Sequence, residues 1–293
     1  MLIRDAYLDE DTSLILSSTE EVLRKSWSTK ELRKYGNGEK EPLKLLLKEL
    51  SNLGLFQYAS QLKGRALVEM NILVGSRLLP GVISSSVAAL PALDEKEINE
   101  ILSEPLVTVS DSPLVPAASE ADYIVIGDLL GRKDRADISV MDSIDDSMPI
   151  CKVELNGARR IGVNRAKLAV AIASQMIGHG EEALRMAVDY SRGRIAFGKA
   201  IGSFQAIKHK LVDDAVSVEM VKSATIKASM EPKLAEVALS LAVQRIPKVI
   251  MDSIQVHGGI GFTEDLDLHL HLKRSLTLSK VLRPNVREDL FNF

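Results

Sequence analysis

YSRGRIAFGKAIGSFQAIKH, residues 190 to 209, decides how the rest of the chain is read. One helix ends in basic residues, a short glycine-bearing turn follows, and a new helix begins near Phe204. Arg192 and Arg194 both fall at the helix C-terminus, where the dipole favours a cation, so capping accounts for one of them. The second calls for an anion, and the planar fork of Arg194 suits the oxygens of a pyrophosphate. About fifty residues on lies QVHGGIGFTEDLDLHLHLKR, residues 255 to 274, with three glycines in four positions behind a long helix. One glycine is explained as a left-handed helix cap. Gly259 and Gly261 point to backbone that approaches something closely, such as the phosphates of a dinucleotide.

Outward from these stretches the apolar residues recur every three to four positions. Leu168, Ile172, Met176, Leu184 and Val188 mark one helix, and Phe204, Ile207, Leu211, Ala215, Val218 and Val221 a second. Leu234, Val237, Leu241, Val249 and Ile250 mark a third, which Pro247 is expected to kink or break, while Pro232 suits a first turn. A fourth is expected from Leu266 to about Leu282, stopped by Pro284. Upstream, LVTV, YIVI, ISVM and ICKVEL between residues 106 and 155 read as short strands separated by Pro, Ser, Asp and Gly. Before them, Leu43, Leu46, Leu47, Leu50 and Leu53, then Leu67, Met70, Leu73 and Val74, read as core stripes of helices. The expected fold is mainly α with a small β domain (α+β): an N-terminal helical domain over 1–104, a shortened β domain over 105–156, and a C-terminal four-helix bundle over 157–293.

Composition narrows the function. A net charge of −3, with 46% apolar and 26% charged residues, fits a soluble globular chain and gives no footprint for nucleic acid. No run reaches the roughly 18 apolar residues of a membrane span, and the acidic N-terminus is unlike a secretory leader, so the expected location is the cytoplasm. Cys151 is the single cysteine, which excludes a disulfide framework and a cysteine zinc site. His269 and His271, two apart on a helix, face different ways and make no metal pair. There is no G-x-G-x-x-G, H-E-x-x-H or G-x-S-x-G, and Gly127 to Lys133 spells no phosphate loop.

The spacing of Arg194, Phe197, Gly198, Ile201, Phe204 and Gln205, followed two helices later by Gln255, Gly258, Gly259 and Gly261, resembles the acyl-CoA dehydrogenase family. The phrase PLVPAASEADYIVIGD, residues 113 to 128, resembles the β domain of that family more faintly. The resemblance implies FAD held at a homodimeric or heteromeric interface, with Arg194, Phe197, Gln205, Gln255, Gly258 and Gly259 as flavin contacts and no metal. A polar contact common in the family is replaced by Ala196.

The resemblance also implies a reaction, in which a Glu carboxylate removes the α-proton of an acyl-CoA and the β-hydride passes to the flavin. The two places the family uses for that base read Leu168 and Leu282 or Arg283 here, so no catalytic base is assigned. Ala166 and Ala169 stand where some relatives contact CoA, and Arg165 and Lys167 are nearby cations. Glu264, Asp265, Asp267, Glu288 and Asp289 are out of register for the base. Together with the short β domain, these departures resemble the branch in which two unlike subunits assemble and one supplies the base. The expectation is an acyl-CoA dehydrogenase-type subunit working on acyl-CoA beside a catalytic partner. The alternatives are an assembly subunit without flavin, or a flavin monooxygenase or nitroalkane oxidase of the same fold.

Overall fold

A computed structural model describes residues 8–284. Seven helices come first: α1 (Glu10–Ser26), α2 (Thr29–Gly36), α3 (Glu41–Asn52), α4 (Leu55–Ser60), α5 (Gly64–Ser76), α6 (Gly81–Ala89) and α7 (Glu95–Ile101). The first is set by its ends: the Asp9 carboxylate accepts from the backbone N–H of Thr12 at 2.8 Å, and Arg24 and Lys25 occupy the last turn. Helix α6 is buried on every side although it carries Ser84, Ser85 and Ser86. Two of these hydroxyls donate back to carbonyls, Ser86 to Val82 at 2.7 Å and Ser84 to Leu79 at 3.2 Å. Ser86 also accepts from the N–H of Val107 at 2.9 Å, which hooks the helices to the first strand.

Strands β1 (Val107–Ser110), β2 (Leu114–Pro116), β3 (Tyr123–Ile126), β4 (Leu129–Arg132), β5 (Ala136–Val140), β6 (Ile150–Leu155) and β7 (Arg159–Arg160) form two small sheets, ordered β1-β3-β4-β7 and β2-β6-β5. The strand β4 went unread in the sequence because Gly127–Asp128, with Gly127 at φ 61, makes a two-residue hairpin turn inside what looked like a loop. Cys151 is buried in β6.

The remaining described helices are α8 (Arg165–Gly193), α9 (Gln205–Met230), α10 (Ala235–His257) and α11 (Leu268–Val281), with a hairpin of β8 (Ile195–Ala196) and β9 (Lys199–Ala200) between α8 and α9. The break expected at Pro247 does not occur: α10 runs through it, and the burial of Ile246, Pro247, Val249 and Ile250 outweighs the roughly 3 kcal/mol that an interior proline costs. The second apolar stripe holds at Val218 and Val221 and fails at Ala215. On α9 the inward positions are Asp214, Val218, Val221, Thr225 and Ala228, while Ala215 is exposed.

Helix α8 is held to α5 at a crossing so tight that side chains are excluded. A Cβ on Gly75 would lie 2.0 Å from the carbonyl oxygen of Gln175, and one on Gly178 would lie 2.1 Å from that of Ile72. Beside the crossing, the Gln175 amide donates to Asn71 at 2.9 Å and to the Ser84 carbonyl at 2.8 Å. Helix α11 is fixed by Arg274, which is 1% exposed. Its guanidinium donates to Asp145 at 2.5 Å, to the Leu79 carbonyl at 2.7 Å and to the Ser147 hydroxyl at 2.7 Å.

Next to that arginine, His179 of α8 and His271 of α11 meet through their Nδ1 atoms at 3.1 Å, both buried. Neither His179 nor a role for His271 in packing was read from the sequence. Burial, and then its neighbours His271 and Arg274, hold His179 well below the ordinary imidazole value, and burial brings His271 to about 4. Imidazoles kept neutral by the fold contribute stability that is complete above the unfolded value near 6.5 and is lost as pH falls toward the folded value. Thermal unfolding followed from pH 7 to pH 4 is expected to show this loss, about 1.4 kcal/mol per pH unit for each proton taken up. The double variant His179→Leu/His271→Leu should have a shallower slope, and parallel slopes would refute the assignment.

Candidate functional site

The cofactor residues anticipated from the sequence come from the C-terminal end of α8, the hairpin after it, the start of α9 and the end of α10. Arg194 is the C-terminal cap of α8, its N–H donating to the Tyr190 carbonyl at 2.9 Å and its own carbonyl accepting from Ile201 at 2.8 Å. Its side chain is exposed and makes no ion pair among the described residues. Three residues further, the β8–β9 hairpin turns through Phe197 and Gly198 at φ 52 and 79. A left-handed backbone is natural for the glycine and costly for a bulky aromatic. Phe197 is nevertheless 94% exposed, its ring meeting only the edge of Phe204 at 6.2 Å. Lys199 lies over the Phe204 ring at 4.3 Å, and Gln205 opens α9 with an exposed side chain.

The second motif is tied to the first by ring stacking. Tyr190 on α8 and His257 on α10 stack at 4.4 Å, and His257 is further held by Nδ1 donating to the Ser253 carbonyl at 2.8 Å. Gln255 points outward one turn from the helix end, and Gly258 caps α10 at φ 64 and ψ −141. The three glycines then differ in what they are for. A Cβ on Gly261 would strike the Ile254 carbonyl at 2.3 Å, so that glycine serves packing inside the chain, contrary to the expectation that it faces a ligand. Gly258 and Gly259 have nothing within 4 Å of such a Cβ and leave their backbone open to the outside. Ile260 and Phe262 flank them, 42% and 74% exposed.

The two positions implied for a catalytic base, far apart in the chain, come together. Leu168 and Leu282, each 2% exposed, line one cavity of about 220 Å³ with Val109 and Val163 as further apolar walls. At its rim, Asp111 accepts from the Arg283 N–H at 2.8 Å, and Arg165 pairs with Glu236 at 2.7 Å while donating to the Arg283 carbonyl at 2.6 Å. Arg165 is thereby engaged inside the chain. Asp111 is a carboxylate on that cavity that the sequence did not single out; a Ser-Asp-Ser-Pro turn after a strand is its only signal. Of the acids discounted from register, Glu264 and Asp265 are exposed, and Asp267 pairs with Arg33 at 3.0 Å; none lines the leucine cavity. Glu288 and Asp289 lie outside the described residues.

Residues 157–280 match the family model for the acyl-CoA dehydrogenase C-terminal domain. The chain is 35% identical over 109 residues to the acyl-CoA dehydrogenase IpdE2 of Mycobacterium tuberculosis, a match covering 36% of this chain and 34% of that one. It is 30% identical over 111 residues to the short-chain specific acyl-CoA dehydrogenase of Megasphaera elsdenii, covering 36% of this chain and 29% of the relative. The matched segments therefore span about a third of the length of these curated relatives. The fold is shared more widely. Butyryl-CoA dehydrogenase from Megasphaera elsdenii superposes with a TM-score of 0.77 at 15% identity, covering 94% of this chain and 95% of that one. The ChsE4-ChsE5 complex from Mycobacterium tuberculosis gives a TM-score of 0.74 at 16% identity, covering 94% of each chain.

Proposed function

We propose that this chain, whose residues 157–280 belong to the acyl-CoA dehydrogenase family, is a flavin-binding subunit that acts with a second chain carrying the catalytic carboxylate. The observation that carries the reading is Phe197: the two-residue β8–β9 turn needs a left-handed backbone there, and a bulky ring 94% in solvent occupies it where a glycine or asparagine would serve the turn better. Strain of this kind costs about 1–3 kcal/mol and collects where a backbone is shaped for a ligand.

The surrounding surface fits FAD. Arg194, Gln205 and Gln255 present side-chain donors that no described residue occupies, and Gly258 and Gly259 leave backbone free to approach phosphates. These groups open outward, which suits a cofactor sandwiched between this chain and another. When bound there, FAD would supply the acceptor for a hydride from the β-carbon of an acyl thioester. The chain's own share is to grip the dinucleotide with Arg194 and the glutamines. Leu168 and Leu282 occupy the two places where a base is implied, and the carboxylates that line the same cavity, Asp111 and Asp128, are engaged by the Arg283 N–H and by Arg160. On this reading the catalytic carboxylate comes from the partner.

The partner surface is consistent with this. Val212, Val216 and Met220, spaced four apart on α9, are 58%, 62% and 42% exposed on the same face as Gln205 and His209. A chain covering that stripe, whether a second copy or an unlike subunit, also reaches the flavin surface. The similarity to heteromeric complexes such as ChsE4-ChsE5 supports the unlike subunit.

Arg194→Ala tests the assignment. A charge-assisted hydrogen bond to phosphate is worth about 1.5–3 kcal/mol, so flavin affinity of the assembled protein is expected to fall by roughly tenfold to a hundredfold. The unfolding temperature should stay within a degree or two, since the side chain is exposed and unpaired among the described residues. The ratio of absorbance at flavin wavelengths to that of protein after dialysis reads the first quantity, and an unchanged ratio would overturn the role.

A further inference from the structure

Where α9 and α10 run side by side, two carboxyl groups line one cleft within three turns of Gln205 and one turn of Gln255. Asp214 is 5% exposed, and its Oδ2 has no hydrogen-bond partner among the described residues. Asp252, on the facing helix, is ion-paired to Lys210. Both acids line an open cleft of about 440 Å³, together with His209, Lys210 and Asp213 from α9 and Arg245 and Lys248 from α10; no charged group of α8 joins that lining.

A buried carboxylate without a full set of partners is costly, and the cost falls if the group keeps its proton. Burial first, and then the charge of Asp252, raise the Asp214 carboxyl to about 7, against the opposing pull of Lys210 and Lys248. Protonated, Asp214 has an O–H to donate to the Asp252 carboxylate across the cleft that both line, a bond that would tie the two helices together. Ionised, the same pair repels across the helix interface.

We propose that Asp214 and Asp252 form a proton-operated joint between α9 and α10, which governs how firmly the helix ends bearing Gln205 and Gln255 are held together. Its bearing on the cofactor rests on the flavin-binding reading above. A carboxyl whose folded pKa is raised contributes stability that is complete below its unfolded value near 3.9 and is lost as pH rises through the folded value. The joint is therefore closed below neutrality and loosened above it.

Asp214→Asn keeps the shape and removes the titration. In the full chain, the unfolding constant of the wild type relative to the variant is expected to rise by up to about tenfold per pH unit from pH 5 to 7 and to level off beyond. Hydrogen exchange of residues 205–214 and 248–257, corrected for the intrinsic pH dependence, should quicken in the wild type between pH 6 and 8 and stay constant in the variant. Equal responses in both proteins, or none in either, would overturn the joint. In the assembled complex, flavin retention should fall over the same window in the wild type alone. A flat wild-type retention beside a responding exchange rate would overturn the link to the cofactor. Failure of both proteins to hold flavin at any pH would instead sink the proposed function, leaving exchange and stability to judge the joint separately.

Discussion

Gly178→Val is expected to leave no folded protein at ordinary temperature. The Cβ alone would stand 2.1 Å from the Ile72 carbonyl oxygen and 2.7 Å from the Ser76 nitrogen, both backbone atoms that cannot swing aside. Ordinary contact requires α5 and α8 to part by more than an ångström, and parting them breaks the Gln175 bonds to Asn71 and Ser84. Overpacking costs about 1–3 kcal/mol where side chains can yield, and more where the backbone must move; two orphaned buried polar groups add to it. The sum is comparable with the whole stability of a typical domain, about 5–15 kcal/mol. Gly193→Ala, on the same helix with nothing within 4 Å, is the control and should be neutral or slightly stabilising. Soluble yield and circular dichroism of the two variants decide the matter, and a well-folded Gly178→Val protein would show that the crossing is not as close as described.

Arg274→Met is expected to cost about 3–5 kcal/mol, because Asp145 would remain buried with its charge uncompensated. Removing the acid as well should recover part of this, so the double variant Arg274→Met/Asp145→Leu is predicted to be more stable than the single one. Urea unfolding measures both. A single variant within 1 kcal/mol of wild type would mean that water reaches Asp145 as soon as the arginine is gone.

The helical architecture was legible wherever one apolar face meets one core. Leu67, Met70, Leu73 and Val74 on α5, and Leu168, Ile172 and Met176 on α8, are all buried as their spacing required. On α9 the spacing found the inward Val218 and Val221 but mistook Ala215, because apolar residues are divided between two faces, with Val212 and Val216 outward, and Asp214 occupies an inward position. Periodicity assumes that the buried residue is apolar, and the buried carboxyl of Asp214 breaks the assumption. The stretches around Arg194 and Gln255 were legible as unusual because two adjacent helix ends carried more cations and glycines than capping needs. The convergence of Leu168 and Leu282 on one cavity, the pairing of His179 with His271 and the link from Arg274 to Asp145 were not, since each joins residues far apart in the chain through tertiary packing alone.

The glycine crossing also bears on how the chain can be cut. The family match covers residues 157–280, which invites expression of that segment as a stand-alone module. Helix α8 inside it was shaped against α5 outside it, with backbone seated on backbone, so a fragment beginning near residue 157 would carry an uncovered seam along Gln175 and Gly178. Such a seam is a site for aggregation or for capture of a foreign helix. Truncation, domain grafting and recombination within this fold are thus better planned with α5 and α8 inherited as a pair.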